Sequence, residues 1–222
     1  QYSAPERVRV VGTPVREEFL YTDRAQARSA LGIEDDRPLI VSYWGSLGAR
    51  EMNKKIAQFF ACEMADGLPF RHIHACGSFG WRWMPEYVKE QGVALSGQDA
   101  IELREFIYDM PLVMAAADLV ICRAGAATIA EVAASGTPCI MVPSPNVTDN
   151  HQEKNARVLE ARGAAAVLRE AQCTGQVLYD TAKEILNDPD RRRAMAAAAA
   201  RMAVVDSAER ICETVLELAQ TR

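Results

Sequence analysis

Leu39-Ile40-Val41-Ser42-Tyr43-Trp44-Gly45-Ser46-Leu47-Gly48-Ala49-Arg50 begins with six mostly apolar residues and turns abruptly to glycine and serine. A run this short, with Pro38 before it and Gly45 after it, reads as a strand buried on both faces, the kind found in parallel sheets. The pattern recurs along the chain. Strands are expected over 70–76, 101–107, 118–122, 138–142 and 164–168, and helices over 25–31, 49–65, 85–91, 111–116, 128–134 and 151–161. Asp23 is placed to cap the first helix, and Gly32, Gly136 and Gly163 to close three of them. Strand and helix in alternation predict an α/β fold, a doubly wound parallel sheet of about six strands with right-handed crossovers. Helices over 174–187, 191–203 and 207–219 form a helical tail, and the alanine run at 196–200 needs only helix propensity to explain it. Residues 7–11 (RVRVV) alternate polar and apolar side chains, so residues 1–14 read as a connection with a lead-in strand and residues 15–222 as one domain.

The chain has 222 residues, enough to bury a continuous core, with 49% hydrophobic and 25% charged residues. A net charge of -5 argues against a nucleic-acid partner, which needs excess Lys and Arg. The six cysteines, Cys62, Cys76, Cys122, Cys139, Cys173 and Cys212, include no C-x-x-C pair and no histidine at zinc spacing. Cys76, Cys122 and Cys139 lie in apolar runs and read as small buried hydrophobes, which fits a reducing, cytoplasmic setting. No stretch approaches the roughly 20 apolar residues that cross a bilayer, and no basic-then-apolar signal pattern is found. The start at Gln1, close to an expected strand, reads as that of a fragment of a longer protein.

In such a sheet ligands bind beyond the carboxyl ends of the strands. Gly45–Arg50 follows one strand and opens a helix; it is either a tight turn or an anion cradle of backbone N–H groups. The segment from Arg123 to Glu131 does the same, placing small residues, the Thr128 hydroxyl and the Glu131 carboxylate at a helix start. Glu131 is read either as a first-turn carboxylate that offsets the helix dipole or closes a capping box, or as an acceptor for a ribose diol. Two such turns at strand ends favour the ribose reading. Residues 143–155 form a polar loop into a helix, with an Asp or Asn cap as the plain reading and sugar hydroxyls as the functional one. His151 at that helix start reads as structural. Phe106 and Ile107 serve either as core or as a slot for a base, and Trp44, Trp81 and Trp83 as large, mostly buried side chains.

Taken together, Val11-Gly12-Thr13-Pro14-Val15-Arg16, Gly45–Arg50, Phe106–Met110, Arg123–Glu131 and His151-Gln152-Glu153-Lys154-Asn155-Ala156 resemble, in order and spacing, the C-terminal half of the MurG family. Its members are bacterial transferases that carry N-acetylglucosamine from UDP-N-acetylglucosamine (UDP-GlcNAc) to lipid I, making lipid II for peptidoglycan. The resemblance covers most of the chain, from Gly12 to about Leu168. It implies a Rossmann-like domain forming the donor half of a GT-B glycosyltransferase. Carried across, Arg16 lies near the diphosphate, Ser46 beneath it, and Ile107 meets uracil through its backbone. Ala126, Ala127, Thr128 and Glu131 wrap the nucleotide with Glu131 on the ribose, and Gln152 and Glu153 face the sugar. Thr13, Trp44 and Glu153 depart from the residues usual at those positions, and Glu153 bears on the sugar contacts.

The resemblance further implies an inverting reaction without a metal or other cofactor, and no Asp-x-Asp motif occupies a strand-end loop. No residue of this chain is expected to be catalytic, since the general base belongs to the family's N-terminal domain. That domain is also expected to bind lipid I and to give the parent enzyme a peripheral place on the cytoplasmic face of the membrane. The isolated chain is then expected to be inactive alone. The alternatives are a stand-alone UDP-sugar-binding subunit that needs a separate membrane partner, or a related enzyme such as a glycolipid glycosyltransferase or a UDP-sugar epimerase.

Overall fold

A computed structural model describes residues 4–95 and 99–220 of the protein. Strand β1 (Leu39–Tyr43) lies inside a six-stranded sheet, with α1 (Glu18–Tyr21) and α2 (Arg24–Ala30) before it. From β1 the chain runs through α3 (Arg50–Ala65), β2 (Arg71–Ala75), α4 (Ser78–Trp81), α5 (Met84–Glu90) and β3 (Ile101–Arg104) to one edge. It returns by α6 (Met110–Ala116) to lay β4 (Leu119–Cys122) on the other side of β1. It then continues through α7 (Ala126–Ser135), β5 (Cys139–Met141), α8 (His151–Ala161) and β6 (Ala165–Val167). Helices α9 (Gly175–Leu186), α10 (Pro189–Ala200) and α11 (Ser207–Gln220) form the tail. The order is β3-β2-β1-β4-β5-β6 and every pairing is parallel, with Val41 opposite both Ile73 and Val120. The direction of progress reverses between β1 and β4, which makes that gap the switch point where such sheets bind ligands.

Period-two geometry explains why β1 is apolar throughout. Leu39, Val41 and Tyr43 pack in the core layer that includes residues of α2, α6, α7 and α8. Ile40 and Trp44 pack in the opposite layer, with residues of α3, α5 and α9.

Three expectations need correction. Residues 7–11 form no strand: Pro5–Arg7 is a short 3-10 turn, Val10 is exposed, and Arg9 pairs with Glu217 of α11 at 2.6 Å. Alternating residues become a strand only where an edge offers ladder partners, and none lies beside this segment. Of the expected connection, residues 1–3 lie outside the described residues. The strand over 101–107 stops at Arg104, and the two short helices α1 and α4 have no periodic signal to announce them.

Between β1, β2 and α3 the core is polar. Ser42, Asn53, Glu63, His72 and His74 are all buried. Ser42 Oγ lies 2.8 Å from His72 Nε2 and 2.7 Å from His74 Nδ1, and His72 Nδ1 lies 3.2 Å from both Glu63 oxygens. His74 Nε2 is 3.2 Å from Asn53 Oδ1, while Asn53 Nδ2 donates to the Cys76 carbonyl at 2.8 Å. That carbonyl can only accept, so Asn53 turns its oxygen to His74, which therefore carries its proton on Nε2. The Ser42 hydroxyl then donates to His74 Nδ1 and accepts from His72 Nε2–H, leaving one proton shared between His72 Nδ1 and Glu63. The Ser42 carbonyl, 3.0 Å from His74 Nδ1, is left facing an acceptor, which the shorter hydroxyl bond outweighs. Burial pushes the Glu63 carboxyl well up and His72 down to about 3, so the proton rests on Glu63; His74 is lowered by burial and by His72.

This cluster makes stability depend on pH in both directions. Folded, its three titratable groups hold one proton; unfolded, they hold none above the ordinary histidine value of 6.5, and two between 6.5 and the ordinary carboxyl value of 4.5. While Glu63 holds its proton, the folded state binds more protons than the unfolded above 6.5 and fewer below, so the contribution falls on either side of that value. Urea unfolding between about pH 5.5 and 8 should show this maximum. Glu63→Gln, whose amide donates to His72 without taking up a proton, should abolish the alkaline decline and steepen the acid one. An unchanged alkaline slope in that variant would contradict the proton assignment.

Candidate functional site

The loops after β1 and β2 cross in close contact. Gly48 and Gly77 adopt φ +78 and +76; a Cβ on Gly48 would sit 2.0 Å from the Cys76 carbonyl oxygen, and one on Gly77 2.2 Å from the Gly48 nitrogen. Only glycine fits either position. The crossing is tied by Gly48 N–H to Gly45 O at 3.1 Å, Ser78 N–H to Ser46 O at 3.1 Å and Gly77 N–H to Glu105 O at 3.0 Å. Ser46 is left exposed, in the loop at the β1 side of the β1/β4 crevice.

The helix starts are of two kinds, with and without a side-chain cap. Thr174 and Asp188 cap α9 and α10 with their side chains, and Asp23 caps α2 by accepting from Gln26 N–H at 2.9 Å. The helices that start beyond β1 and β4 have no such cap: α3 follows Ala49 and α7 follows Gly125. The first N–H groups of α7, on exposed Ala126 and Ala127 and on half-buried Thr128, are therefore open to an anion. Glu131 lies in the second turn of α7, because the helix begins two residues earlier than its sequence suggests; this rules out the capping box and the first-turn dipole role. Burial raises its carboxyl above the ordinary value, and the nearby Arg16 guanidinium pulls it the other way. Arg16 is exposed and stacks over Phe19 at 5.5 Å. Tyr43, which the sequence does not single out, has a buried hydroxyl without a well-formed hydrogen bond. Burial drives it upward, Cys122 and Glu131 add to the shift, and the Thr128 side chain opposes it. Its place in an apolar strand gives no sign of this role.

The remaining expected residues divide. The Ile107 side chain is buried, and no hydrogen bond among the described residues engages its backbone N–H or C=O, leaving both for a ligand. Its neighbours Phe106 and Tyr108 are exposed, with ring centroids 5.1 Å apart. Gln152 is turned to the loop, its Oε1 accepting from Ser144 N–H at 2.9 Å. Glu153 is held by Arg157 at 2.8 Å and Arg169 at 3.5 Å, and lines a 610 Å3 cavity with Lys55, Ser144 and Glu170. The expected Asp or Asn cap before α8 is missing: Asn150 is left-handed with no side-chain bond, and His151 Nδ1 meets the Thr148 carbonyl at 3.0 Å. Of the tryptophans, Trp44 is buried while Trp81 is exposed. Arg123, the residue that follows β4, braces three strand ends. It donates to the Val142 carbonyl at 2.9 Å, pairs with Glu170 at 2.6 Å and lies 5.6 Å over the Trp44 ring.

A parallel sheet with its order reversed between β1 and β4, and open helix termini above that gap, defines the Rossmann-like half of a GT-B glycosyltransferase. Residues 40–211 match the glycosyltransferase family 28 C-terminal domain, and the chain belongs to that family. It is 38% identical over 216 residues to the UDP-N-acetylglucosamine--N-acetylmuramyl-(pentapeptide) pyrophosphoryl-undecaprenol N-acetylglucosamine transferase of Acetivibrio thermocellus, covering 97% of this chain and 57% of the relative. The Listeria monocytogenes enzyme of the same name is 35% identical, at 97% and 58% coverage. The chain thus spans little more than half the length of the curated relatives it matches. Among solved structures, Acinetobacter baumannii MurG superposes with a TM-score of 0.73 at 27% identity, over 92% of this chain and 57% of that one. The lipopolysaccharide glycosyltransferase WaaG shares the fold, with a TM-score of 0.67 at 16% identity, 95% of this chain and 56% of that one.

The loop crossing can be separated from ordinary glycine strain. Gly92 has φ +80, and a Cβ added there would meet nothing within 4 Å, so Gly92→Ala should lose only the left-handed penalty of about 1 kcal/mol. Gly77→Ala adds a backbone clash and should lose at least about 2 kcal/mol more in urea unfolding. Equal losses would show that the crossing yields without cost.

Proposed function

We propose that the chain is the donor-binding half of an inverting transferase that moves N-acetylglucosamine from UDP-GlcNAc to lipid I, forming lipid II in peptidoglycan synthesis. The observation that carries this reading is the pair of uncapped helix termini, α3 and α7, at the β1/β4 switch point, with Glu131 one turn into α7. The names of the relatives supply the sugar and the acceptor. The open N–H groups of α7 and the Arg16 guanidinium take the diphosphate, and Ser46 lies beneath it. Glu131 accepts from the ribose hydroxyls. The Ile107 backbone N–H and C=O read the edge of uracil. Gln152 faces the sugar; Glu153 reaches it only by giving up its pair with Arg169.

In the reaction the acceptor hydroxyl oxygen attacks the anomeric carbon from the face opposite UDP. The carbon–oxygen bond to the β-phosphate breaks, its electron pair leaves with UDP, and the hydroxyl proton passes to a base. Charge grows on the β-phosphate, where helix N–H dipoles and Arg16 stabilise it without a metal ion. The base, the lipid I site and the peripheral attachment to the cytoplasmic face of the membrane belong to an N-terminal domain of the parent enzyme. This chain alone then binds donor without turning it over.

Calorimetry with UDP-GlcNAc, UDP-galactose and UDP-glucose tests the reading, which expects UDP-GlcNAc to bind most tightly. Equal affinities would remove the sugar assignment, and transfer to a lipid I analogue by this chain would remove the division of labour. Because Glu131 is raised above its ordinary 4.5, its acceptor form is lost as pH falls through that raised value, and donor affinity should fall with it. Glu131→Gln should bind about tenfold more weakly at neutral pH and lose that acid dependence.

A further inference from the structure

Five buried polar side chains lie directly behind the candidate phosphate loop, and no step of the reaction uses them. Their hydrogen bonds run in one direction, from Glu63 through His72, Ser42 and His74 to Asn53, and end on the Cys76 carbonyl. That carbonyl oxygen is the atom against which Gly48 packs, 2.0 Å from where a Cβ would stand. Asn53 is therefore a hub. Its backbone N–H closes the first turn of α3 on Ala49 at 2.8 Å, and its side-chain nitrogen lies 2.5 Å from where a Cβ of Gly80 in α4 would be. An apolar filling of the same volume would pack as well and avoid burying polar groups, so stability alone gives no reason for the arrangement.

We infer that Asn53, held by the chain from Glu63 through His72, Ser42 and His74, is a positioning residue that fixes the Cys76 carbonyl and so sets where the Gly45–Gly48 loop presents its backbone to the donor diphosphate. The inference rests on the reading of that loop as the phosphate site. The α3 terminus and the loop move with the Gly48–Gly77 crossing, and the crossing takes its place from a carbonyl whose direction Asn53 dictates. Glu63 lies at the far end of α3, more than two turns from the loop, and its contact with His72 Nδ1 completes the chain whose direction the Cys76 carbonyl sets.

The test combines UDP calorimetry, thermal unfolding and amide hydrogen exchange at Gly48, Gly77 and Ser78 in this chain. Asn53→Asp keeps the shape and the acceptor for His74 but loses the donor to Cys76; it should weaken UDP about tenfold and speed exchange at Gly48 and Ser78. Glu63→Leu, remote from the loop, should do the same to a smaller degree, and Glu63→Gln, which preserves the donor, should restore wild-type affinity and exchange. Imidazole nitrogen spectra should show both His72 and His74 protonated on Nε2 in the wild type. UDP affinity and loop exchange that stay at wild-type values in Asn53→Asp and Glu63→Leu, whatever their melting temperatures, would overturn the inference. Absence of UDP binding by the wild type would instead remove the phosphate-site reading, while the exchange rates would still decide whether Asn53 positions the loop.

Discussion

The parallel pairing of β1 with β4 is the constraint on which the rest of the protein depends. It brings together segments separated by an entire two-strand excursion, and the Asp118 carboxylate marks the join by accepting from the Leu39 N–H, 79 residues away, at 2.9 Å. Arg24 reaches the same carboxylate at 2.9 Å and also donates to the carbonyls of Ala116 and Ala117. Closing so long a loop costs entropy that grows only logarithmically with its length. Burying both faces of β1 and β4 supplies the compensation, for Leu39, Ile40, Val41, Leu119, Val120 and Ile121 are all inaccessible to solvent. With the pairing made, the Gly45–Gly48 loop and the start of α7 must stand side by side, and neither can be displaced without opening the centre of the sheet.

What the site gains is obtained against local stability. Left-handed glycines, helix starts without caps and a polar cluster inside the core each lower stability relative to an ordinary alternative. Gly45, Gly48 and Gly77, the uncapped starts of α3 and α7 and the polar cluster lie beside β1 or β4, although left-handed glycines and uncapped starts also occur elsewhere, as at Gly92 and α8. Elsewhere the chain uses charge for plain structural pairing, as where Arg71 and Arg37 flank Asp35 and hold its carboxyl well below the usual range.

Much of this is legible in the sequence because the relevant signals are local. The strand at 39–43 and the helix at 151–161 follow from apolar periodicity and flanking glycine or polar loops, and family spacing marks Arg16, Ser46 and the 126–131 segment. Residues 7–11 mislead because alternation reports a preference for extended backbone, whereas a strand also requires a partner edge. The start of α7 is misplaced because Ala126 and Ala127 suit a helix and a loop equally, and the two extra residues move Glu131 from the first turn to the second. The polar cluster is invisible for a different reason. Ser42, Asn53, Glu63, His72 and His74 come from three elements, and nothing in the spacing of any one element reveals that their side chains meet. Arg123 and Tyr43 are hidden in the same way, since their roles depend on neighbours across the sheet.

Most of the candidate site consists of backbone. The groups available to a ligand are N–H groups at Ala126, Ala127 and Thr128, those of Ser46 and Leu47, and the N–H and C=O of Ile107, so side-chain identity matters chiefly where a Cβ cannot fit. This explains why the site is written in glycines and alanines at fixed spacing and not in a catalytic constellation. It also separates two tasks. On the proposed function, the base and, apart from Arg16, the diphosphate fall to backbone atoms held in place by packing, which tolerate substitution that preserves the fold. The same proposal leaves choice among sugars and recognition of ribose to a few side chains, Glu131 and Gln152 foremost. The Gln152 Oε1 is held by the Ser144 N–H, which ties this side chain to the loop after β5 and leaves its Nε2 hydrogens for a sugar hydroxyl. A sugar that drew on Oε1 as well would break that bond and engage residues 143–150, where Asp149 and Asn150 hold left-handed backbone conformations that non-glycine residues rarely adopt.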